Sequence, residues 1–271
     1  MTPSLYPSES PSGKALFFAS DLHAGIPSPQ ESRSREKHFI TWLETHAAEA
    51  AAFYLLGDLW DFWFEYKRAV PKGQVRLLGA LAALTDADIP IFFLPGNHDQ
   101  WLTSYLCEEI GLRILSDPWV AEWRGQMFFL SHGHRLGPLP WTDRLANAIM
   151  SQPFLQRLYR WIHPDLGLWI GRYLSNRSRN AHSPLDDMDL GEKEYLRQFV
   201  RTHKPTADWY IFAHRHLPLF EPIQQSYLIV LGDWIRRYTY LRIDEDAVGL
   251  WRFSPLHEKV ILREISYASV G

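Results

Sequence analysis

The chain has 271 residues, 46% of them hydrophobic, with a net charge of −3 and a pI near 6.5. This is enough apolar material for one large domain or two small ones; it excludes a disordered chain and gives no overall basic charge for a nucleic-acid partner. The single cysteine, Cys107, excludes an internal disulfide, suits the cytoplasm and is expected to behave as a small buried apolar residue.

Residues 1–14 are rich in Pro and Ser, have no apolar segment of the signal-peptide kind, and are expected to form a flexible arm. Ala15–Ser20 is a short apolar run ending in Asp21-Leu22-His23, followed by a Pro/Ser/Arg-rich loop over Gly25–Arg35. Lys37–Ala52 has helical spacing, with Phe39, Ile40, Leu43 and Ala47 on one side. Ala51–Leu56 is a second apolar run and ends in Gly57-Asp58. Val75–Leu84 predicts a helix. Pro90–Leu94 predicts a third strand, leading into Gly96-Asn97-His98-Asp99. Leu102–Ile110 predicts a helix stopped by Gly111. Met127–Leu130 ends in Ser131-His132-Gly133-His134, and Trp209–Phe212 ends in Ala213-His214-Arg215-His216. Tyr227–Leu231, Thr239–Ile243, Val248–Phe253 and Val260–Ile265 alternate and turn as antiparallel strands do.

Between the fourth and fifth runs the character changes. Trp141–Ser178 is aromatic and basic and predicts two amphipathic helices, the first with a break near Pro153 and continuing to Ile162, the second beginning at Pro164. Leu155, Leu158, Tyr159 and Ile162, then Leu168, Trp169, Ile170, Tyr173 and Leu174, form the apolar faces, with arginines interleaved. Such a hairpin either covers a core, holds acyl chains or lies on an anionic membrane surface. No apolar run approaches the ~20 residues of a membrane span.

Five apolar runs end in oxygen and nitrogen donors: Asp21, His23, Asp58, Asn97, His132, His214 and His216. In open α/β sheets the C-terminal strand ends are where ligands bind. This donor set suits two divalent ions provided one carboxylate bridges them, and Asp58, alone at its strand end, is the natural bridge. Asp21, His23 and His216 go with one ion, and Asn97, His132 and His214 with the other. Two ions ~3.5–4 Å apart generate hydroxide near neutral pH and bind phosphoryl oxygens. His98 follows Asn97 directly and is a candidate acid for the leaving group or a donor to a phosphate oxygen. Its neighbour Asp99 is expected to hold the His98 tautomer.

Asp21-x-His23, Gly57-Asp58, Gly96-Asn97-His98-Asp99, His132 and His214-x-His216, in that order, resemble the calcineurin-like metallophosphoesterase superfamily. Within it the chain resembles the UDP-2,3-diacylglucosamine pyrophosphatases of lipid A synthesis. The stretch Gly57–Lys67, His163–Gly167 with Ser175–Arg179, and Gly232-Asp233-Trp234 carry that likeness. Ala213 stands where the superfamily has Gly, and His98 where the founding branch has Arg. His134 stands where that branch has Asp.

The resemblance implies an α/β fold of four layers, two facing β-sheets flanked by helices, spanning 15–271 with a helical lid over 137–190. It implies two divalent ions, Mn²⁺ first, and cleavage of the substrate pyrophosphate to UMP and the acylated sugar phosphate at the cytoplasmic face of the inner membrane. Ser175, Asn176, Arg177 and Arg179, with Asn97 and His98, are the implied substrate contacts. Two rival readings remain. A phosphoesterase acting on another phosphodiester or phosphomonoester predicts a filled lid without an apolar groove. A non-catalytic scaffold predicts a broken ligand set, and no ligand is missing.

Overall fold

The structure, a computed structural model, describes residues 2–8, 11–137, 152–181, 189–191, 194–204, 206–254 and 259–266. Among these, the first four strands are β1 (Ala15–Ala19), β2 (Ala50–Leu55), β3 (Ile91–Phe93) and β4 (Arg113–Ile114). They run parallel and open the first sheet. The next five form the second sheet: β5 (Trp119–Trp123), β6 (Gln126–Ser131), β7 (Trp209–Phe212), β8 (Leu219–Ile223) and β9 (Ser226–Val230). The chain then returns with β10 (Thr239–Ile243), β11 (Ala247–Phe253) and β12 (Lys259–Ser266), which add antiparallel to β1. The orders are β12-β11-β10-β1-β2-β3-β4 and β5-β6-β7-β9-β8.

Both faces of each central strand are buried, which is why the sequence shows continuous apolar runs and not alternation. Leu16, Phe18, Ala52 and Tyr54 point between the sheets onto Phe128, Leu130, Trp209 and Ile211. Phe17 and Phe53, one residue out of phase, face α1 (Pro29–His46) and α2 (Val75–Asp86), packing with Phe39, Trp42, Leu77 and Leu81. The outer face of the second sheet, Phe129, Tyr210 and Phe212, receives Leu196 and Val200. The result is the expected four-layer helix–sheet–sheet–helix arrangement. Each such side chain contributes about 1.5–3 kcal/mol when fully buried.

The remaining helices among the described residues are α3 (Tyr105–Glu108), α4 (Pro153–Tyr159), α5 (Pro164–Ala181) and α6 (Tyr195–Thr202). No helix among the described residues is long and apolar enough to cross a membrane.

Several local expectations need correcting. The first helix begins at Pro29, inside the stretch expected as a loop, and ends at His46. Ser28 supplies the reason. Its hydroxyl accepts the Glu31 N–H at 3.2 Å and donates to the Glu31 carboxylate at 2.6 Å, a side-chain N-cap with Pro in the first helical turn. The helix expected over Leu102–Ile110 shrinks to one turn, Tyr105–Glu108; Leu106 points inward and Cys107 is exposed, not buried. Strands β5 and β8 were not anticipated. Both are sheet edges, and β8 contains Pro222, a residue tolerated only where one side of the ladder is open. β9 pairs parallel with β7 as well as antiparallel with β8.

The segment expected as a loose arm is docked at residues 3–6. The Leu5 N–H bonds Glu122 O at 2.8 Å, the Glu122 N–H bonds Pro3 O at 2.9 Å, and the Tyr54 hydroxyl donates to Leu5 O. Leu5 is buried between the sheets and Tyr6 stacks on Trp123. Of the hairpin expected over Trp141–Ser178, the part before 152 lies outside the described residues.

Candidate metal centre

The C-terminal ends of β1, β2, β3, β6 and β7 open onto one place, and the loops leaving them are stitched together by main-chain bonds. The Asp21 N–H donates to Gly57 O at 3.1 Å, the His23 N–H to Asp58 O at 2.9 Å, and the Ala213 N–H to His132 O at 3.3 Å. Asp21, His23, Asp58, His214 and His216 all stand in the left-handed region, with φ between 46° and 66°. Such backbone costs a non-glycine residue about 1–3 kcal/mol, and it gathers at functional sites because it aims side chains the regular strand cannot. Gly57 (φ 83°) is required where it stands, since a Cβ there would enter the Gly96 backbone and the His132 ring. Gly96 answers it: a Cβ would meet the Asp58 carboxylate.

The expected ligands converge in two groups, and a third set, His23, Asp61 and His98, joins the first at His23. Asp21, His23 and His216 offer ligand atoms within 4.8 Å of one another, as do Asp58, His132 and His214. Asp58 lies between the groups: its Oδ2 is 3.2 Å from His132 Nε2 and 3.7 Å from His23 Nε2. Asn97 Oδ1 reaches His132 Nε2 at 3.2 Å, and Asp21 Oδ1 is 3.2 Å from His216 Nε2. His132 Nδ1 lies 2.7 Å from Leu56 O, an acceptor only, so Nδ1 carries a proton and Nε2 is the nitrogen turned to the site.

His23 decides whether divalent ions fit this arrangement. It is 2% exposed, and neither ring nitrogen has a hydrogen-bond partner. A buried imidazole normally has one. The surrounding donors are carboxylate oxygens and imidazole nitrogens, which is what Mn²⁺, Mg²⁺, Fe²⁺ and Zn²⁺ accept. The residues present therefore fit a pair of divalent cations.

Electrostatics agree with a site built for positive charge. Burial alone would raise the Asp58 carboxyl, but the His132, His98 and His23 rings reverse this and hold it well below the usual carboxylate range. Asp21 behaves likewise under His216. Burial would lower His132, yet the Asp58 charge beside it raises the imidazole to about 10. Burial and the neighbouring His132 push His214 well below its ordinary value, and His134 down to about 3.

Asp99 does not take the place expected for it. Its Oδ1 accepts the N–H of Gly96 at 2.8 Å and of Asp58 at 3.2 Å, and its Oδ2 accepts the Leu59 N–H at 2.8 Å. It clamps two ligand loops together, and burial with the Asp58 charge raises it to about 7. His98 is held by other groups. Its N–H donates to Asp58 Oδ1 at 2.9 Å, and its Nδ1 lies 2.8 Å from Asp61 O and 2.9 Å from Ser175 Oγ.

Of the implied substrate contacts, Ser175 is buried on α5 with its hydroxyl turned onto Asp61 and His98. Asn176 is exposed, and the side chains of Arg177 and Arg179 lie outside the described residues. His134 borders a polar cavity of about 250 Å³ beside Gly96, where Arg135 donates to His134 Nε2 and to Gln100 Oε1, each at 3.1 Å.

Two supports escaped the sequence reading. Arg35, on α1, donates to the carbonyls of Leu22, His23 and Ile26 and so fixes the first ligand loop. Asp233 accepts the N–H groups of Ile235 and Arg236 and pairs with Arg237, which donates to His216 O at 2.8 Å. A buried arginine at the start of an amphipathic helix is the only linear signal for the first. The second lies in the Gly232-Asp233-Trp234 turn, which the family likeness marks, although nothing local shows that it supports His216.

Two facing sheets with a carboxylate-and-imidazole cluster at the ends of their parallel strands define a phosphoesterase that works with divalent ions. The sequence profile of the calcineurin-like phosphoesterases matches residues 15–218, and the chain belongs to that family. It is a metal-dependent hydrolase. A UDP-2,3-diacylglucosamine hydrolase of Porphyromonas gingivalis is 33% identical over 241 residues, 83% of this chain and 92% of that protein. One from Yersinia pseudotuberculosis is 27% identical over 245 residues, covering 88% and 99%. Among solved structures, a predicted phosphoesterase of Streptococcus pneumoniae matches 93% of this chain and 97% of that one at 13% identity, with a TM-score of 0.42.

Proposed function

We propose that the protein hydrolyses the pyrophosphate of UDP-2,3-diacylglucosamine, releasing UMP and 2,3-diacylglucosamine 1-phosphate, with two Mn²⁺ ions as the working metals. The proposed ligands are Asp21, His23, Asp58, Asn97, His132, His214 and His216, with Asp58 shared. When bound, the ions supply a water of lowered pKa and neutralise charge on the phosphoryl oxygens. Asp58 and Asn97 fix the loop that carries His98. With Nδ1–H held by Asp61 O, the imidazolium form of His98 presents Nε2–H to the leaving oxygen and transfers that proton, which leaves the neutral Nδ1–H ring behind. Asn97, His98 and Asn176, with Arg177 and Arg179, are the proposed contacts to the sugar and phosphate.

The names of the relatives supply the substrate. The structural observation that carries the reading is the position of α5. The helix whose Ser175 touches His98 turns Leu166, Trp169, Tyr173 and Leu174 outward. Seven of the twelve large apolar side chains exposed among the described residues lie between 154 and 174, including Trp161 at 89% and Trp169 at 64% exposed. A filled, core-covering hairpin would bury them. Exposed Arg157 and Arg172 lie among them, the composition that favours an anionic lipid surface. On this reading the 137–190 insert meets the acyl chains, and the enzyme works at the cytoplasmic membrane surface.

The test is direct. Pure protein is incubated with the lipid-linked nucleotide and Mn²⁺, and UMP is measured. Release of UMP is expected. Absence of UMP beside turnover of bis(p-nitrophenyl) phosphate would reject this substrate.

A further inference from the structure

The insert helix does more than lie beside the site. Gly167, Gly171 and Ser175 follow one another at four-residue spacing along one face of α5, opposite the exposed aromatic face. A Cβ at Gly167 would strike the Tyr66 hydroxyl, and one at Gly171 would strike the Phe62 ring. The helix backbone therefore sits directly on the loop that follows Asp58. That close approach carries Ser175, 6% exposed, to the centre of a four-atom cluster. Its Oγ is 2.9 Å from Asp61 O, 3.0 Å from Asp61 Oδ2 and 2.9 Å from His98 Nδ1.

Chemistry assigns the protons. Asp61 O has no hydrogen to give, and it lies 2.8 Å from His98 Nδ1, so Nδ1 carries a proton both before and after Nε2 gives its own. A hydroxyl beside that N–H acts as an acceptor for it. Its own proton then goes to the Asp61 carboxylate, the strongest acceptor in reach. The chain runs from Nδ1–H, shared between Asp61 O and Ser175 Oγ, and on through Ser175 O–H to Asp61 Oδ2. The other carboxylate oxygen of Asp61, Oδ1, stands 3.7 Å from His23 Nδ1.

We propose that Ser175 is a positioning residue for His98: the hydroxyl borne by the insert helix locks the orientation and tautomer of the reacting imidazole, so the site is complete only when α5 is seated on the loop Asp61–Tyr66. Ser175 acts through His98 and Asp61 and makes no contact with substrate. This departs from the substrate-binding role that the sequence resemblance implies for it.

The inference rests on the phosphoesterase reading of the site, so the assay uses bis(p-nitrophenyl) phosphate, which needs no acyl recognition. S175A is expected to keep its metal content and far-ultraviolet circular dichroism, to lose about tenfold in kcat, and to leave KM unchanged. S175T, which keeps the hydroxyl, is expected to recover most of kcat. G171A touches neither His98 nor Asp61 but lifts the helix from Phe62. It is expected to lose kcat likewise, and G171A/S175A is expected to lose no more than the worse single variant. A raised KM at unchanged kcat in S175A would overturn the proposal and return Ser175 to substrate binding. Full activity in S175A, or equal losses in S175A and S175T, would overturn it too. A wild type without turnover would overturn the phosphoesterase reading itself, and this inference with it.

Discussion

The Asp99 carboxylate accepts the main-chain N–H of Asp58 at 3.2 Å. Because the same carboxyl holds Gly96 and Leu59, the loops that carry Asp58 and Asn97 cannot separate without leaving buried main-chain N–H groups unpaired. Asp99→Asn replaces one acceptor oxygen by a donor and leaves a buried N–H facing it. The expected result is a loss of about 1–3 kcal/mol in thermal or denaturant unfolding, with weaker metal retention. Lost turnover at unchanged stability and metal content would return Asp99 to direct work on His98.

Asp58→Asn and His98→Gln separate holding metal from using it. Asp58 stands between both ligand groups, so its loss is expected to strip both ions, read by elemental analysis after gel filtration. His98→Gln is expected to keep both ions while kcat falls about 10²–10⁴-fold, the usual worth of a positioned acid. A metal-free His98→Gln would show that the ring is a ligand.

The outward aromatic residues of α4, α5 and their connection make a surface prediction. Trp161→Ser with Trp169→Ser is expected to cut co-sedimentation with anionic vesicles at least severalfold, since each exposed indole gives up its share of buried apolar area. Turnover of the soluble diester is expected to stay at the wild-type level. Unchanged vesicle binding would remove these helices from the membrane face.

Arg197 fixes the start of α6 after the insert. Its guanidinium bonds Asp189 in bidentate fashion, Glu221 at 3.0 Å and Gly191 O at 2.8 Å. Arg197→Ala is expected to cost about 1–3 kcal/mol in unfolding. The Arg197 bonds hold the Asp189 carboxyl down to about 2, below the roughly 3.9 of an unfolded chain. A depressed carboxyl adds stability above pH ~4 and loses it as the pH falls through about 2. The gap between wild type and variant is therefore expected to narrow over that window. The narrowing is modest, because the Asp189 side chain is 45% exposed and screened.

Much of the fold was legible in the sequence because burial on both faces writes itself as continuous apolar runs. β1, β2, β3, β6 and β7 were each located, with the donor at the end of each. The edge strands β5 and β8 were not. Glu122 and Pro222 interrupt them, and only pairing with a neighbour makes such segments strands. The start of α1 was lost for a related reason: Ser28 and Pro29 read as loop residues until the capping contact with Glu31 is seen.

By itself the sequence determined which side chains are available. Seven oxygen and nitrogen donors stand at five strand ends, in an order that resembles one superfamily, because local chemistry and strand periodicity are recorded residue by residue. Tertiary structure alone decided how they are used. It turned five ligand positions into left-handed backbone, bonded Asp99 to the Asp58 N–H, and brought Arg35 to the carbonyls of the first loop. It also laid Ser175 on His98 across 77 residues of chain. Those relationships depend on distance between segments far apart in sequence, and no periodicity encodes distance.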